Sequence, residues 1–247
     1  MHIKPEAFAL DYAVFTLVPE ERSDNRRTIP TFKLSVVLAK RGNPDDPFYG
    51  KWALPGALAQ PNKTINEGAV DKMYEKLGIG PGLKSWQFRV TYSEDPRGWI
   101  PSLCYLVVAD RMSLTSLKAG KNISDVMIVP VEEALSMDLA FNHNETLSVA
   151  VDEIRHLART TLLIKHFLPP HFTSGYLLSA WKAVLPELDV TRNNFTRDFI
   201  KKKKFVTPVL DDKGTEMTTT EHSTVPVTLY KFEERDTKIN IITQNQS

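Results

Sequence analysis

The chain has 247 residues, 42% hydrophobic and 25% charged, enough for two modest domains of ordinary globular composition. A formal net charge of +1 rules out a polyanionic or polycationic chain, and no apolar run reaches the roughly 18 residues a membrane helix needs. The single cysteine, Cys104, excludes an intrachain disulfide and a thiolate metal cluster.

The start, MHIKPEAFALDYAVF, has no basic segment followed by an apolar one, so no secretory leader is expected and the cytoplasm is the natural compartment. Residues 11–18 (DYAVFTLV) and 33–40 (KLSVVLAK) read as strands on either side of a polar stretch. A Gly-, Pro- and Asp-rich loop follows (RGNPDDPFYGKW), then the short segment ALPGALA. The next element has clear punctuation. Thr64 is an N-cap, Glu67 completes a capping box, Ile65, Ala69, Met73 and Leu77 form an apolar stripe, and Gly78 supplies the stop. Further strands are expected at 86–92, 102–109 and 126–129, with a short helix from Val131. Cys104 falls inside the run SLCYLVVA and reads as a buried strand residue.

Near Glu145 the pattern changes. Residues 145–167 predict one long helix ended by Pro169-Pro170, and the domain boundary is expected within it, near residue 155. Thr173 then caps a helix with a core face of Leu177, Ala180, Trp181 and Val184. A second helix, TRNNFTRDFIKKKK at 191–204, precedes two β-rich runs, FVTPVL and VPVTLYKF, separated by a polar loop. Helix, turn, helix and ribbon is the order of a winged helix-turn-helix. Residues 156–247 carry 13 Lys/Arg against 10 Asp/Glu, and the first 155 carry 18 against 20. That asymmetry is too weak to point to nucleic acid, but six of the basic residues sit within 191–204 beside one acid, Asp198.

The stretch PFYGKWALPGALAQPNKTINEGAVDKMYEKLGI resembles the Nudix segment, in which carboxylates on one helix face gather divalent cations for diphosphate hydrolysis. Anchored on Gly78-Ile79, the motif's glycine falls on Ala57, its first glutamate on Lys63 and its arginine on Asp71. Its acidic cluster falls on Lys72, Glu75 and Lys76, so two ammonium groups stand where cation-binding acids would be. Glu75 is expected to pair with Lys72, and neither metal binding nor hydrolysis is expected.

Beyond that segment, Asp11 before an apolar strand, Arg41 after one, DPRG at 95–98, LAFNH at 139–143, PPHFTSGYLLSAWKAVL and RNNFTRDF are similar to the NrtR family of Nudix-related transcriptional regulators, over roughly residues 8–232. The resemblance implies an α+β chain: an N-terminal Nudix α/β/α sandwich (1–155) that senses an effector, a winged helix-turn-helix DNA-binding domain (156–235) and a polar tail (236–247). It implies a homodimeric repressor on double-stranded operator DNA, responsive to ADP-ribose or a related nucleotide and controlling NAD-metabolism genes. A sugar or sugar phosphate effector, with control of sugar-utilisation genes, is the alternative within the same architecture. An active hydrolase of ADP-ribose or a nucleotide sugar is the alternative outside it. Ala57 in place of the second glycine of Pro-Gly-Gly, and a long wing loop, depart from the family.

The residues expected on DNA are Thr173, Arg192, Asn193, Asn194, Thr196, Arg197, Lys201 and Lys204. Arg and Asn suit bidentate base contacts and the terminal lysines suit phosphates, while Phe195 and Phe199 pack inward. The residues expected on the effector are Arg41 and Arg97 for phosphates, Trp52 and Phe141 for stacking, and Gly56. Each has a plainer explanation, with Arg97 fixing its own turn and the aromatics serving the core. His143 is expected to be structural, at the domain junction.

Overall fold

The computed structural model describes residues 7–20, 28–60, 64–79, 83–93 and 95–233. The chain divides into two compact units, one formed by 1–16 and 35–154, the other by 17–34 and 155–247. Lys63 and the tail 236–247 lie outside the described residues.

Among the described residues, the first unit is built on a seven-stranded mixed sheet. Its strands are β1 (Ala9–Pro19), β2 (Phe32–Arg41), β3 (Trp52–Ala53), β4 (Gly56–Leu58), β5 (Lys84–Ser93), β6 (Ile100–Val108) and β7 (Ile123–Pro130). β1 runs parallel to β6, with Ala9 opposite Ser102 and Phe15 opposite Val108. β5 pairs antiparallel with β6, β3 and β7 with β2, and β4 with β1. Strand β1 is buried almost continuously because it lies inside the sheet and is covered on both faces.

Alternation along β1 sorts its side chains. Leu10, Tyr12 and Val14 join Met73, Leu77 and Ile79 in one core cluster, whereas Asp11 faces the other way, toward His143. The helix α1 (Ile65–Leu77) is punctuated as its sequence predicts. Thr64 accepts from Glu67 N–H, the Glu67 side chain returns to the Thr64 backbone, and Gly78 closes the end at φ 72°. Met73 and Leu77 are buried; the side chains of Ile65 and Ala69 lie outside the described residues. The short α2 (Val131–Ser136) and the first part of α3 (His143–Thr160) complete this unit.

The long helix expected at 145–167 is broken. α3 ends at Thr160, and a 3₁₀ turn at Leu163–Phe167 follows. Thr160 and Thr161 turn their hydroxyls back onto the carbonyls of His156 and Leu157, and backbone competition of this kind bends or ends helices.

In the second unit, α4 (Ser174–Val184) starts on Thr173, whose hydroxyl accepts from Tyr176 N–H at 3.2 Å. Trp181 is fully buried, donates to the Ala158 carbonyl at 3.1 Å and meets Phe195 and Phe199 edge-on at 5.8 and 4.5 Å. Each such aromatic pair adds about 0.5–1.5 kcal/mol beyond burial. From the segment 17–34, the Pro30 carbonyl accepts from Ser179 at 2.5 Å and Phe32 meets Tyr176 edge-on at 4.9 Å. The second helix is α-helical only at Arg192–Phe195 (α5) and continues as π-helix at Thr196–Lys202. β8 (Val206–Pro208) pairs with β11 (Tyr230–Phe232) as the ribbon. Within the stretch read from sequence as a polar loop, β9 (Thr218–Thr219) forms a second small ladder with β10 (Val227–Thr228), which belongs to the second β-rich run.

Candidate functional site

A cavity of about 250 Å³ opens in the first unit, lined by residues of the β1, β2 and β4 ends, the C-terminal half of α1, the 95–97 turn and the start of α3. Of the five residues expected on an effector, Arg41, Gly56, Arg97 and Phe141 line it and Trp52 does not. Strand pairing sets Trp52 beside Lys40 instead, whose ammonium lies 5.8 Å above its ring, and its carbonyl accepts from Ala140 N–H.

Arg41 is half-buried. Its Nε donates to the Pro47 carbonyl at 2.5 Å, its guanidinium is 3.8 Å from Asp46, and it stands 4.9 Å over the Phe141 ring. Phe141 adopts φ 57°, a left-handed conformation rare for an aromatic residue, and its ring packs against Phe48 and His143. Arg97 does both things its sequence allows. Its backbone and guanidinium bind Asp95 at 2.6–3.0 Å, fixing the turn, and the same side chain lines the cavity. Asp95 holds the Arg97 guanidinium above its ordinary pKa, and Arg97 holds Asp95 below its own.

The helix α1 supplies a third cation. Lys72 pairs with Glu75 at 2.6 Å, as expected, and Lys121 adds a second contact to Glu75 at 3.6 Å. Lys76 turns instead into the cavity and donates to the Gly56 carbonyl at 2.6 Å. Burial pushes its amine below the ordinary lysine pKa, and the neighbouring Arg41 adds to that. Among the described residues, no group of three or more His, Cys, Asp or Glu is arranged to hold a metal ion.

Gly56, which Lys76 reaches, also borders a network that sequence reasoning missed. Asp11 accepts from the Ser102 hydroxyl through Oδ2, and its Oδ1 is 3.6 Å from His143 Nε2. His143 Nδ1 accepts from Leu54 N–H at 3.0 Å, so a neutral imidazole carries its proton on Nε2, facing Asp11. Burial opposes ionisation of Asp11, but His143, Ser102 and Lys76 outweigh it and hold the carboxyl below its ordinary pKa. His143 therefore belongs to the cavity wall within the first unit, not to a junction between units as expected. The 132 positions separating its carboxylate partner hid the pair; the only local sign was an acid inside the apolar run LDYAVF.

In the second unit, Arg192, Asn193, Asn194, Arg197 and Lys201 are exposed along the second helix, and Thr196 is half-buried. Phe195 and Phe199 stack inward at 5.1 Å. Asp198 holds both Arg197, at 2.7 Å, and Lys202, at 2.8 Å. Two expectations change. Thr173 is buried and its hydroxyl is committed to capping α4, while Lys204, at φ 52°, has left the helix.

No protein-family model matches the chain. The ADPR responsive transcriptional repressor NtrR of Acinetobacter baylyi is 26% identical over 215 residues, spanning 84% of this chain and 79% of that protein. The ADP-ribose pyrophosphatase of Methanocaldococcus jannaschii is 30% identical over 115 residues, 45% of this chain and 63% of that protein. The crystal structure of Shewanella oneidensis NrtR matches with a TM-score of 0.68 at 22% identity, over 92% of this chain and 94% of that one. The same protein complexed with a 27mer DNA gives 0.67 at 23%, over 92% and 93%.

The fold and site define a Nudix-type domain followed by a winged C-terminal region. The chain is NrtR-like and Nudix-related, in sequence over most of its length and in fold over nearly all of it.

Proposed function

We propose that this chain is a non-catalytic, effector-responsive transcriptional repressor. Its first unit binds ADP-ribose or a close relative, and its second unit binds operator DNA through the helix at 191–203. The observation that carries this is Lys76, an ammonium group bonded to a backbone carbonyl inside the cavity, at a position where a diphosphate hydrolase needs a carboxylate. With Arg41 and Arg97 it gives the cavity three cations, suited to phosphate oxygens.

Magnesium does not fit this site. Glu75 is occupied by two lysines, and a dication near Lys72 and Lys76 would meet repulsion at contact range. The A. baylyi relative supports the repressor role and the response to ADP-ribose; control of NAD-metabolism genes is the expectation that follows. Two copies in a homodimer would present two recognition helices to a two-fold-symmetric operator. A DNA-binding role accords with a cytoplasmic protein.

Two measurements test the proposal. Calorimetric titration with ADP-ribose should show binding without magnesium, and chromatography of the mixture with magnesium should show no AMP. Duplexes selected from a random pool by the full chain should be released when ADP-ribose is added. Turnover with magnesium would establish a hydrolase, and binding of a pentose phosphate in preference to ADP-ribose would establish the sugar-sensing alternative.

A further inference from the structure

The basic segment 191–204 contains one acid, Asp198, and that acid stands in the middle of the cations. Its carboxylate grips the next guanidinium in the chain at two points: Arg197 Nε donates to Oδ1 at 3.0 Å and Nη2 donates to Oδ2 at 2.7 Å. Lys202 Nζ approaches the same Oδ1 at 2.8 Å from one turn further on. Adjacent positions of an α-helix do not face one another, and this pair occurs where the backbone has gone over to π-helix turns, at Thr196–Lys202. Phe195 and Phe199 hold the opposite side of the segment against Trp181, so Arg197 and Lys202 are left on the exposed side.

An ionised carboxylate on a surface that meets DNA repels phosphates and cancels part of the attraction the lysines supply. Its gain lies in what it does to Arg197. The grip uses Nε and one hydrogen of Nη2, leaving Nη1 and the outer hydrogen of Nη2 pointing away from the carboxylate. Those donors keep the planar fork that pairs with O6 and N7 of guanine. A guanidinium already fixed by its neighbour loses less rotamer freedom on binding. The same carboxylate draws Lys202 off the free pool of phosphate-seeking charges. Base contacts specify and phosphate contacts only position, so strengthening the first while weakening the second widens the gap between right and wrong sequences.

We propose that Asp198 is a positioning residue for sequence discrimination: it holds Arg197 ready for a base edge and restrains attraction to unselected DNA. This rests on the DNA-binding role proposed above for the second unit.

The test measures the full chain by gel shift against duplexes selected by the wild type and against random duplexes, over a range of salt. Asp198→Asn should bind random duplexes more tightly, with a salt dependence steeper by about one charge. Its preference for selected over random duplexes should fall about tenfold, within the discrimination of one bidentate contact. Asp198→Ala should do the same, and the melting curves of both should match the wild type, because the pair is exposed. In an Arg197→Ala background, Asp198→Asn should leave the remaining preference unchanged, since the residue it positions has gone. An equal gain for selected and random duplexes would reduce Asp198 to a surface charge and overturn the proposal. So would a loss of preference that persists without Arg197. A wild type that binds no duplex at all would instead sink the DNA-binding role itself.

Discussion

Lys76 Nζ lies 2.6 Å from the carbonyl oxygen of Gly56, tying α1 to the first residue of β4. The bond joins two positions twenty residues apart and places a partly desolvated ammonium in the cavity wall. A carboxylate at 76 would be repelled by that same carbonyl, so the local geometry suits a donor.

Lys76→Met removes this cation while keeping most of the side-chain length. ADP-ribose affinity should fall about tenfold, because a hydrogen bond to a charged group contributes roughly 1.5–3 kcal/mol. Thermal stability should change little, since a partly buried ammonium is replaced by an apolar group. Titration calorimetry and a melting curve on one preparation check both.

The ends of α1 give a second pair of outcomes. Thr64→Ala removes the capping box and should cost about 1 kcal/mol in urea unfolding. Gly78→Ala should cost more, because φ 72° is strained for alanine and its Cβ would press on the Ser116 carbonyl at 2.7 Å.

Burial pushes the Cys104 thiol up to about 12. An aromatic disulfide reagent at pH 8 should therefore leave the native protein unmodified and react fully in denaturant. The sign of the pH effect follows. An unfolded thiol ionises above about pH 8.5 while the folded one keeps its proton, so stability falls as pH rises past that point. A Cys104→Ser protein should show a smaller fall in the same urea titrations at pH 8 and pH 10.

On the DNA side, Arg197→Ala should weaken binding to selected duplexes by about 1–3 kcal/mol, the range for a bidentate base contact. Lys203→Ala should weaken selected and random duplexes alike, by less, and flatten the salt dependence by about one charge. Gel-shift titrations at three salt concentrations separate the two. Full affinity in the Arg197 variant would remove it from the interface.

Local chemistry decided much of this protein. Each main strand of the first unit, the capped helix at 65–77, the cap at Thr173 and the Lys72–Glu75 pair follow from neighbours in sequence, because alternation, capping and three-residue spacing act over a single turn or strand. The lysines at 72 and 76 were equally legible, since they are a matter of identity rather than geometry.

Tertiary structure decided the rest. Only the parallel pairing of β1 with β6 brings Ser102 to Asp11, and only the start of α3 carries His143 to the same carboxylate. Nothing periodic links residues 11, 102 and 143, because a buried polar group takes whichever partner the fold delivers. The break after Thr160 and the π turns at 196–202 were hidden for a related reason. Hydroxyl back-bonding at Thr160 and Thr161 is a small local term that competes with helix continuation, and no sequence pattern marks the π turns.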